Sequence, residues 1–263
     1  MANQAEAADF SRRGTAMAAR GDYDHALAAL SRACELAPDN PDYFYLRSRL
    51  YLRMGQRVLA VQDLDETLKL NPQQVTALVA RAEILLANGD TVRGIADLDA
   101  ADGTAAKQED LRFEMAAAYE RADRLSAAVA QYDLWVAAHE NDQRIPYAQN
   151  SRCRARALGG GDLSLALKDC NAALKRAKKG SAFYAQVADS RGLVFLRLGD
   201  YPKSIADYDA SIAISPKVAW PWYGRGIDKR REHQSAAGDA DIAQAKVLVP
   251  AIAEAFARHG IQP

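Results

Sequence analysis

The stretch GDYPKSIADYDASIAISP, residues 199–216, decides the fold class of this chain. It opens with a Gly-Asp-aromatic turn, continues with alternating small and large apolar residues, and ends at a proline, which stops a helix. Residues 21–38, GDYDHALAALSRACELAP, repeat the same arrangement. A unit that recurs within one chain predicts an array of stacked, similar elements.

The repeat has a period of 34 residues. The small residue five places after the turn glycine recurs at this spacing, and only the fifth unit is displaced, by four residues on each side: Ala26, Ala60, Gly94, Ala128, Ala166, Ser204 and Gly238. A matching small residue lies upstream of most turns, at Gly14, Ser48, Ala82, Ala116, Gly192 and Gly226. Small residues on two facing helices allow close approach, so each unit is predicted to be a helical hairpin.

We call each set of equivalent positions in successive units a column. The pattern of these columns resembles that of the tetratricopeptide repeat family over residues 7–252. The resemblance implies an all-α fold, a right-handed α-solenoid of about seven stacked hairpins whose groove, lined by the first helix of each hairpin, binds a segment of another protein. We expect a single array over residues 1–263, with repeats at 7–40, 41–74, 75–108, 109–142, 147–180, 185–218 and 219–252. Residues 251–263 predict a C-terminal capping helix, with Ile252, Phe256 and Ile261 covering the exposed end of the stack.

Composition agrees with a large helical array. The chain has 263 residues, 49% of them hydrophobic, and a formal net charge of zero. No apolar run approaches the roughly 18 residues needed to cross a bilayer. The first residues, MANQAEAADF, lack the basic-then-apolar pattern of a signal peptide. This favours a cytoplasmic protein, unless a signal was trimmed and a start methionine put in its place.

The fifth unit concentrates basic residues, with nine lysines and arginines against two aspartates over residues 144–179, a local charge of +7. They are Arg144, Arg152, Arg154, Arg156, Lys168, Lys175, Arg176, Lys178 and Lys179. Such a field attracts anionic segments, which keeps a nucleic-acid or anionic-surface binder as the alternative function. The neutral chain as a whole argues against that alternative, and solvated helix faces explain the same residues.

Two helices carry aromatic and arginine residues, at one-turn spacing in the second unit and as a cluster in the seventh. The second unit presents Tyr45, Arg49 and Arg53, and the seventh presents Trp220, Tyr223 and Arg230. Because these residue types dominate binding energy where they are desolvated, we expect them to anchor a protein or peptide partner with an acidic segment. The competing interpretation is an ordinary surface helix with intrahelical ion pairs.

The residues offer no catalytic constellation. The histidines His25, His139, His233 and His259 share no spacing with a nucleophile or a carboxylate pair, and the Gly159-Gly160-Gly161 turn lacks a P-loop lysine. We therefore expect no enzymatic activity, cofactor, metal or small-molecule substrate. Within the family, one subgroup binds the C-termini of chaperones through lysines and asparagines in the groove. That cluster is absent here, which argues against a co-chaperone role of this type. The corresponding positions are Ser11, Thr15, Leu46, Arg49, Val79 and Glu83.

Two cysteines of the fifth unit, Cys153 and Cys170, fall on facing columns of one predicted hairpin. That placement brings their α-carbons within the roughly 4.4–6.8 Å that a disulfide needs. The alternative is two small buried thiols in a reducing cytoplasm. A bridge would favour an exported, periplasmic protein, and Cys34 lies too far away to compete.

Overall fold

The computed structural model describes residues 2–263, which form fifteen α-helices and no strand. The chain divides into two compact units, the first ending at Ala122 and the second spanning Asp123–Pro263. The helices of the first unit are α1 (Ala2–Ala19), α2 (Tyr23–Leu36), α3 (Pro41–Arg53), α4 (Arg57–Leu70), α5 (Val75–Ala87), α6 (Thr91–Thr104) and α7 (Arg112–Arg121). Those of the second are α8 (Leu125–Ala138), α9 (Ile145–Leu158), α10 (Leu163–Arg176), α11 (Ala182–Leu198), α12 (Tyr201–Ile214), α13 (Ala219–Arg231), α14 (Ser235–Leu248) and α15 (Ile252–Arg258).

The hairpin turns depend on a left-handed residue. Gly21, Gly89 and Gly199 have φ angles of 82°, 84° and 77°, a region that glycine enters without steric cost. Where the fourth and seventh units lack this glycine, Asp123 and His233 take the same conformation, with φ angles of 57° and 60°. The turn geometry therefore persists through units whose sequence departs from the pattern.

The small columns pack as the sequence predicts. A Cβ atom added to Gly14 would lie 2.8 Å from Cγ of Leu30, and one added to Gly226 would lie 2.7 Å from Cγ1 of Ile242. The large residue of the second helix thus fills the space beside the small residue of the first. With fifteen helices and no strand over residues 2–263, the predicted all-α, hairpin-based fold class is confirmed.

The last helix, α15, packs on the first helix of the last hairpin. Ile252, Phe256 and Ile261 are 1%, 0% and 4% exposed, and the ring of Phe256 packs on Trp220 and on Tyr223 of α13. The physical reason is that α13 presents an aromatic surface, and α15 buries its own apolar side chains there.

Candidate functional site

A small cleft between α1, α2 and α3 lies in the first unit and has a volume of about 120 Å³. Its walls are mainly apolar, and we call it the α1–α3 cleft: Thr15, Ala18, Ala19, Leu30, Leu46, Arg49, Leu50 and Arg53. A concavity of this size holds one side chain rather than a whole ligand, since ligand sites in proteins span roughly 300–1,000 Å³. Two of the predicted anchors, Arg49 and Arg53, therefore meet at one site.

The two arginines of the cleft differ in what they contact. Arg53 donates a hydrogen bond from Nη1 to the carbonyl oxygen of Ala18, at 3.3 Å, in the last turn of α1. The Arg49 side chain is exposed and makes no hydrogen bond or ion pair with any of residues 2–263. An unpaired guanidinium at the rim of an apolar cleft is suited to a carboxylate that arrives with an apolar side chain.

Tyr45, the third predicted anchor, precedes Arg49 by one turn of α3 but does not line the α1–α3 cleft. It is half-buried, and its backbone carbonyl accepts a hydrogen bond of 2.7 Å from the hydroxyl of Ser48. The structure therefore brings Arg49 and Arg53 together and leaves Tyr45 beside them.

The three predicted anchors of α13 are engaged within the second unit. Tyr223 is 2% exposed and its ring centroid lies 4.7 Å from that of Phe256. Trp220 is half-buried between Phe256, at 4.3 Å, and the guanidinium of Arg154, at 4.3 Å. Arg230 forms an ion pair with Asp239. For Tyr223 the expectation of an open groove position needs correction, because the tail of the chain covers its ring.

A recurrent ion pair escaped the sequence interpretation. An arginine in the first helix of a hairpin donates two hydrogen bonds to an aspartate sixteen residues later in the second helix: Arg47 to Asp63, Arg81 to Asp97, Arg191 to Asp207 and Arg225 to Asp241. Arg152 and Asp169 form the same pair at a spacing of seventeen. The signal was visible as Arg and Asp columns sixteen apart that recur with the 34-residue period.

Each of these arginines also reaches back to the preceding hairpin. Arg81 bonds Asp65 of α4 at 2.8 Å, and Arg225 bonds Asp209 of α12. One guanidinium thus ties three helices together. The hydrogen bonds to Asp97 raise the pKa of Arg81 above its ordinary value, so the guanidinium stays charged.

The basic fifth unit is partly neutralised by such pairs. Arg152 and Arg156 both contact Asp133 and Asp169, and Arg154 pairs with Asp189 at 2.9 Å. Asp133 and Asp189 lie outside residues 144–179, so a count over that window overstates the local charge. The cations that stay exposed belong to α10 and the residues after it: Lys168, Lys175, Arg176, Lys178 and Lys179.

The two cysteines of the fifth unit are joined in the structure by a disulfide, with their α-carbons 5.6 Å apart. Both side chains are fully buried between α9 and α10. Cys34 is a buried free thiol, and burial raises its pKa to about 11. A thiol with so high a pKa is protonated and unreactive at neutral pH.

Over residues 2–263 no group of three or more His, Cys, Asp or Glu side chains is arranged to hold a metal ion. None of the helices described there is both long enough and apolar enough to span a membrane.

Sequence comparison finds the same repeat in this chain. A family profile described as "Tetratricopeptide repeat" matches residues 45–110 and 156–219, and one described as "TPR repeat" matches residues 14–55. Together these ranges cover more than half of the chain. The tetratricopeptide repeat and J domain-containing co-chaperone DNJ1 of Cryptococcus neoformans var. grubii is 34% identical over 94 residues. That match covers 36% of this chain and only 18% of the co-chaperone.

Solved structures share the fold at low sequence identity. YrrB, described as a TPR protein with an unusual peptide-binding site, aligns with a TM-score of 0.62 and 17% identity, over 73% of this chain and 95% of YrrB. A tetratricopeptide repeat protein from Parabacteroides merdae aligns with a TM-score of 0.59 and 15% identity, over 97% of this chain and 99% of that one. At such identities the similarity concerns the fold alone.

Proposed function

Because the chain belongs to the tetratricopeptide repeat family, whose members act in protein–protein interaction, we propose that it is a non-enzymatic binding module. Its partner is a short segment of another protein that enters the α1–α3 cleft. The observation that carries this proposal is the pairing of an apolar floor with an arginine that has no partner within residues 2–263.

The apolar floor selects for a hydrophobic side chain. Leu30 and Leu50 are 1% and 2% exposed and form the base, while Leu46 and Ala18 are half-buried at the sides. Burying a leucine- or phenylalanine-sized side chain in such a cleft stabilises a complex by about 1.5–3 kcal/mol. One anchor of this size accounts for a weak complex, so further contacts must contribute.

Arg49 supplies charge selection beside that floor. Its guanidinium is free to form a bidentate pair with a carboxylate, and hydrogen bonds to a charged group contribute about 1.5–3 kcal/mol. Arg53 adds positive charge one turn further along α3 while it remains bonded to Ala18. The segment that fits best therefore carries an apolar residue with an acidic residue within about one helical turn of it.

A display selection tests this proposal. Random twelve-residue peptides are selected on the intact chain, and the selected sequences are scored for an apolar residue adjacent to Asp or Glu. We expect that motif to be enriched and to bind Arg49→Ala at least tenfold more weakly. Selected peptides that lack acidic residues, or that bind Arg49→Ala equally well, would overturn the proposal.

Arg57 provides the matched control. It is an exposed arginine at the start of α4, its side chain forms no hydrogen bond or ion pair with residues 2–263, and it does not line the cleft. Arg57→Ala removes the same charge from the same unit and should leave peptide affinity unchanged. An equal loss in both variants would mean that net charge, and not the cleft, determines binding.

A further inference from the structure

The last thirteen residues, 251–263, form a tail that behaves as a ligand of its own unit. Its anchor is Phe256, whose ring is fully buried against Trp220 and Tyr223 of α13. Ile261, five residues later, is also buried, at 4% exposure. An aromatic ring held in an aromatic pocket is how peptide grooves commonly anchor their ligands.

The tail crosses more than one repeat of the second unit. The carbonyl oxygen of His259 accepts a hydrogen bond of 2.6 Å from Arg197 of α11, and that of Gln262 accepts one of 3.1 Å from Arg231 of α13. Arg197 also bonds the carbonyl oxygen of Leu158, at the end of α9. The tail therefore contacts the first helices of the last two hairpins, α11 and α13, on the face that the sequence assigns to ligand binding.

The two arginines are only partly satisfied by the tail. Neither Arg197 nor Arg231 forms an ion pair with a carboxylate of residues 2–263, and both donate to neutral carbonyl oxygens of the tail. Nε of Arg197 is buried without a hydrogen-bond partner in that range. A carboxylate near these arginines would add a charge–charge attraction that neutral carbonyl oxygens lack, which favours an acidic segment over the tail at these points.

The tail is also suited to detach. Its helix, α15, has only seven residues, too few to be stable without packing contacts. The helices beneath it belong to hairpins that carry their own cross-links, namely the Arg191 to Asp207 and Arg225 to Asp241 pairs. Loss of the tail would thus expose the face while leaving those hairpins cross-linked.

We propose that this face of α11 and α13 is a second peptide-binding surface, which the tail occupies until a partner displaces it. The partner is a helical segment with an aromatic anchor, followed by acidic residues at the positions that His259 and Gln262 take in the tail. The proposal is independent of the α1–α3 cleft, since none of its residues belongs to the first unit.

Competition in the intact chain tests the proposal. The probe is a fluorescent peptide with the sequence of residues 250–263 carrying His259→Glu and Gln262→Glu, and its binding is followed by fluorescence anisotropy. Phe256→Ala in the chain weakens docking of the resident tail, so the competent fraction of the surface rises. We expect the probe to bind Phe256→Ala at least tenfold more tightly than the wild type. Equal affinity for the two chains would overturn the proposal.

Three matched changes sharpen the result. Glu254→Ala alters an exposed residue of the same helix and should leave probe affinity at the wild-type value. A probe without the phenyl ring should bind at least tenfold more weakly. Arg197→Gln in the chain should remove the advantage of the acidic probe over the unmodified tail sequence. Equal affinity of the probes with and without the phenyl ring would contradict the assigned surface. An advantage of the acidic probe that persists in Arg197→Gln would contradict it as well.

Folding of the Phe256→Ala chain is checked by circular dichroism. If that chain loses helicity, the Phe256→Leu variant is used instead, because leucine keeps an apolar side chain at this position. We expect this variant to bind the probe several-fold more tightly than the wild type. No gain with Phe256→Leu would also overturn the proposal. Arg49→Ala, in the first unit, should not change probe affinity, so failure here and failure of the α1–α3 cleft are separate results.

Discussion

Arg81 and Asp97 form two parallel hydrogen bonds across one hairpin, from Nε to Oδ2 at 2.8 Å and from Nη2 to Oδ1 at 2.7 Å. Their side chains are 19% and 9% exposed, so the pair is largely shielded from solvent. The same guanidinium also reaches Asp65 of the preceding hairpin. One side chain thus fixes both the pairing of two helices and the stacking of two repeats.

Removing one member of this pair should lower the free energy of unfolding more than replacing both members by neutral residues. Asp97→Ala leaves the Arg81 charge without its main partner, and loss of one member of a shielded pair lowers the free energy of unfolding by about 3 kcal/mol. The column itself suggests a neutral replacement, because the fourth unit has Met115 and Gln131 at these two positions.

Arg81→Met combined with Asp97→Gln should therefore be more stable than Asp97→Ala alone. Urea unfolding followed by circular dichroism measures both variants. A double variant that is less stable than Asp97→Ala would show that the ion pair stabilises the fold directly and does not merely avoid an unpaired charge.

The hairpins were predictable from sequence because their determinants are local. Small residues such as Gly14 and Ala26, and a left-handed turn glycine such as Gly21, recur at fixed spacing and act within one unit. The Arg and Asp columns carry the same period and were equally visible. They were missed because charged residues on a helix are ordinarily assigned to solvent.

Asp228 should make stability depend on pH. Its side chain is fully buried, neither carboxylate oxygen has a hydrogen-bond partner among residues 2–263, and burial raises its pKa to about 7. The hydroxyl of Ser204 donates to the carbonyl oxygen of Gly192. The folded state therefore binds the proton more tightly than the unfolded state, and this contribution to stability is lost as pH rises from about 4 to 7.

Asp228→Asn removes that titration. At pH 8 the variant should be more stable than the wild type, by an amount on the order of 3 kcal/mol, whereas at pH 4 the two should be similar. Thermal unfolding at several pH values measures the difference. A difference that does not vary with pH would mean that the pKa of Asp228 is the same in the folded and unfolded states, which contradicts the prediction.

The disulfide between Cys153 and Cys170 should stabilise the fifth hairpin. Closing a loop of this length contributes about 3 kcal/mol in the chain-entropy description. Cys153→Ala combined with Cys170→Ala should lower the free energy of unfolding by that amount, and Cys34→Ala serves as the control for an unbridged buried cysteine. Denatured, unreduced protein taken from its native compartment should titrate as one free thiol. Three free thiols would contradict the bridge.

The candidate sites were only half predictable. Arg49 and Arg53 follow each other by one turn, and helix periodicity alone brings them to the same face. Tyr223 lies on an equivalent face, yet its availability depends on where residues 251–263 pack. Sequence reasoning recognised an aromatic surface on α13 but could not tell which segment would cover it, because that contact is made by a tail without a repeat pattern.

A charge exchange at Arg49 tests the central claim most directly. A peptide obtained by selection on the intact chain is measured by isothermal titration calorimetry against the wild type and Arg49→Glu, first with its acidic residue and then with lysine in that place. The account predicts that Arg49→Glu weakens binding of the acidic peptide at least tenfold and that the lysine peptide recovers a substantial part of the loss on this variant. Arg49→Glu binding the acidic peptide with wild-type affinity would contradict it.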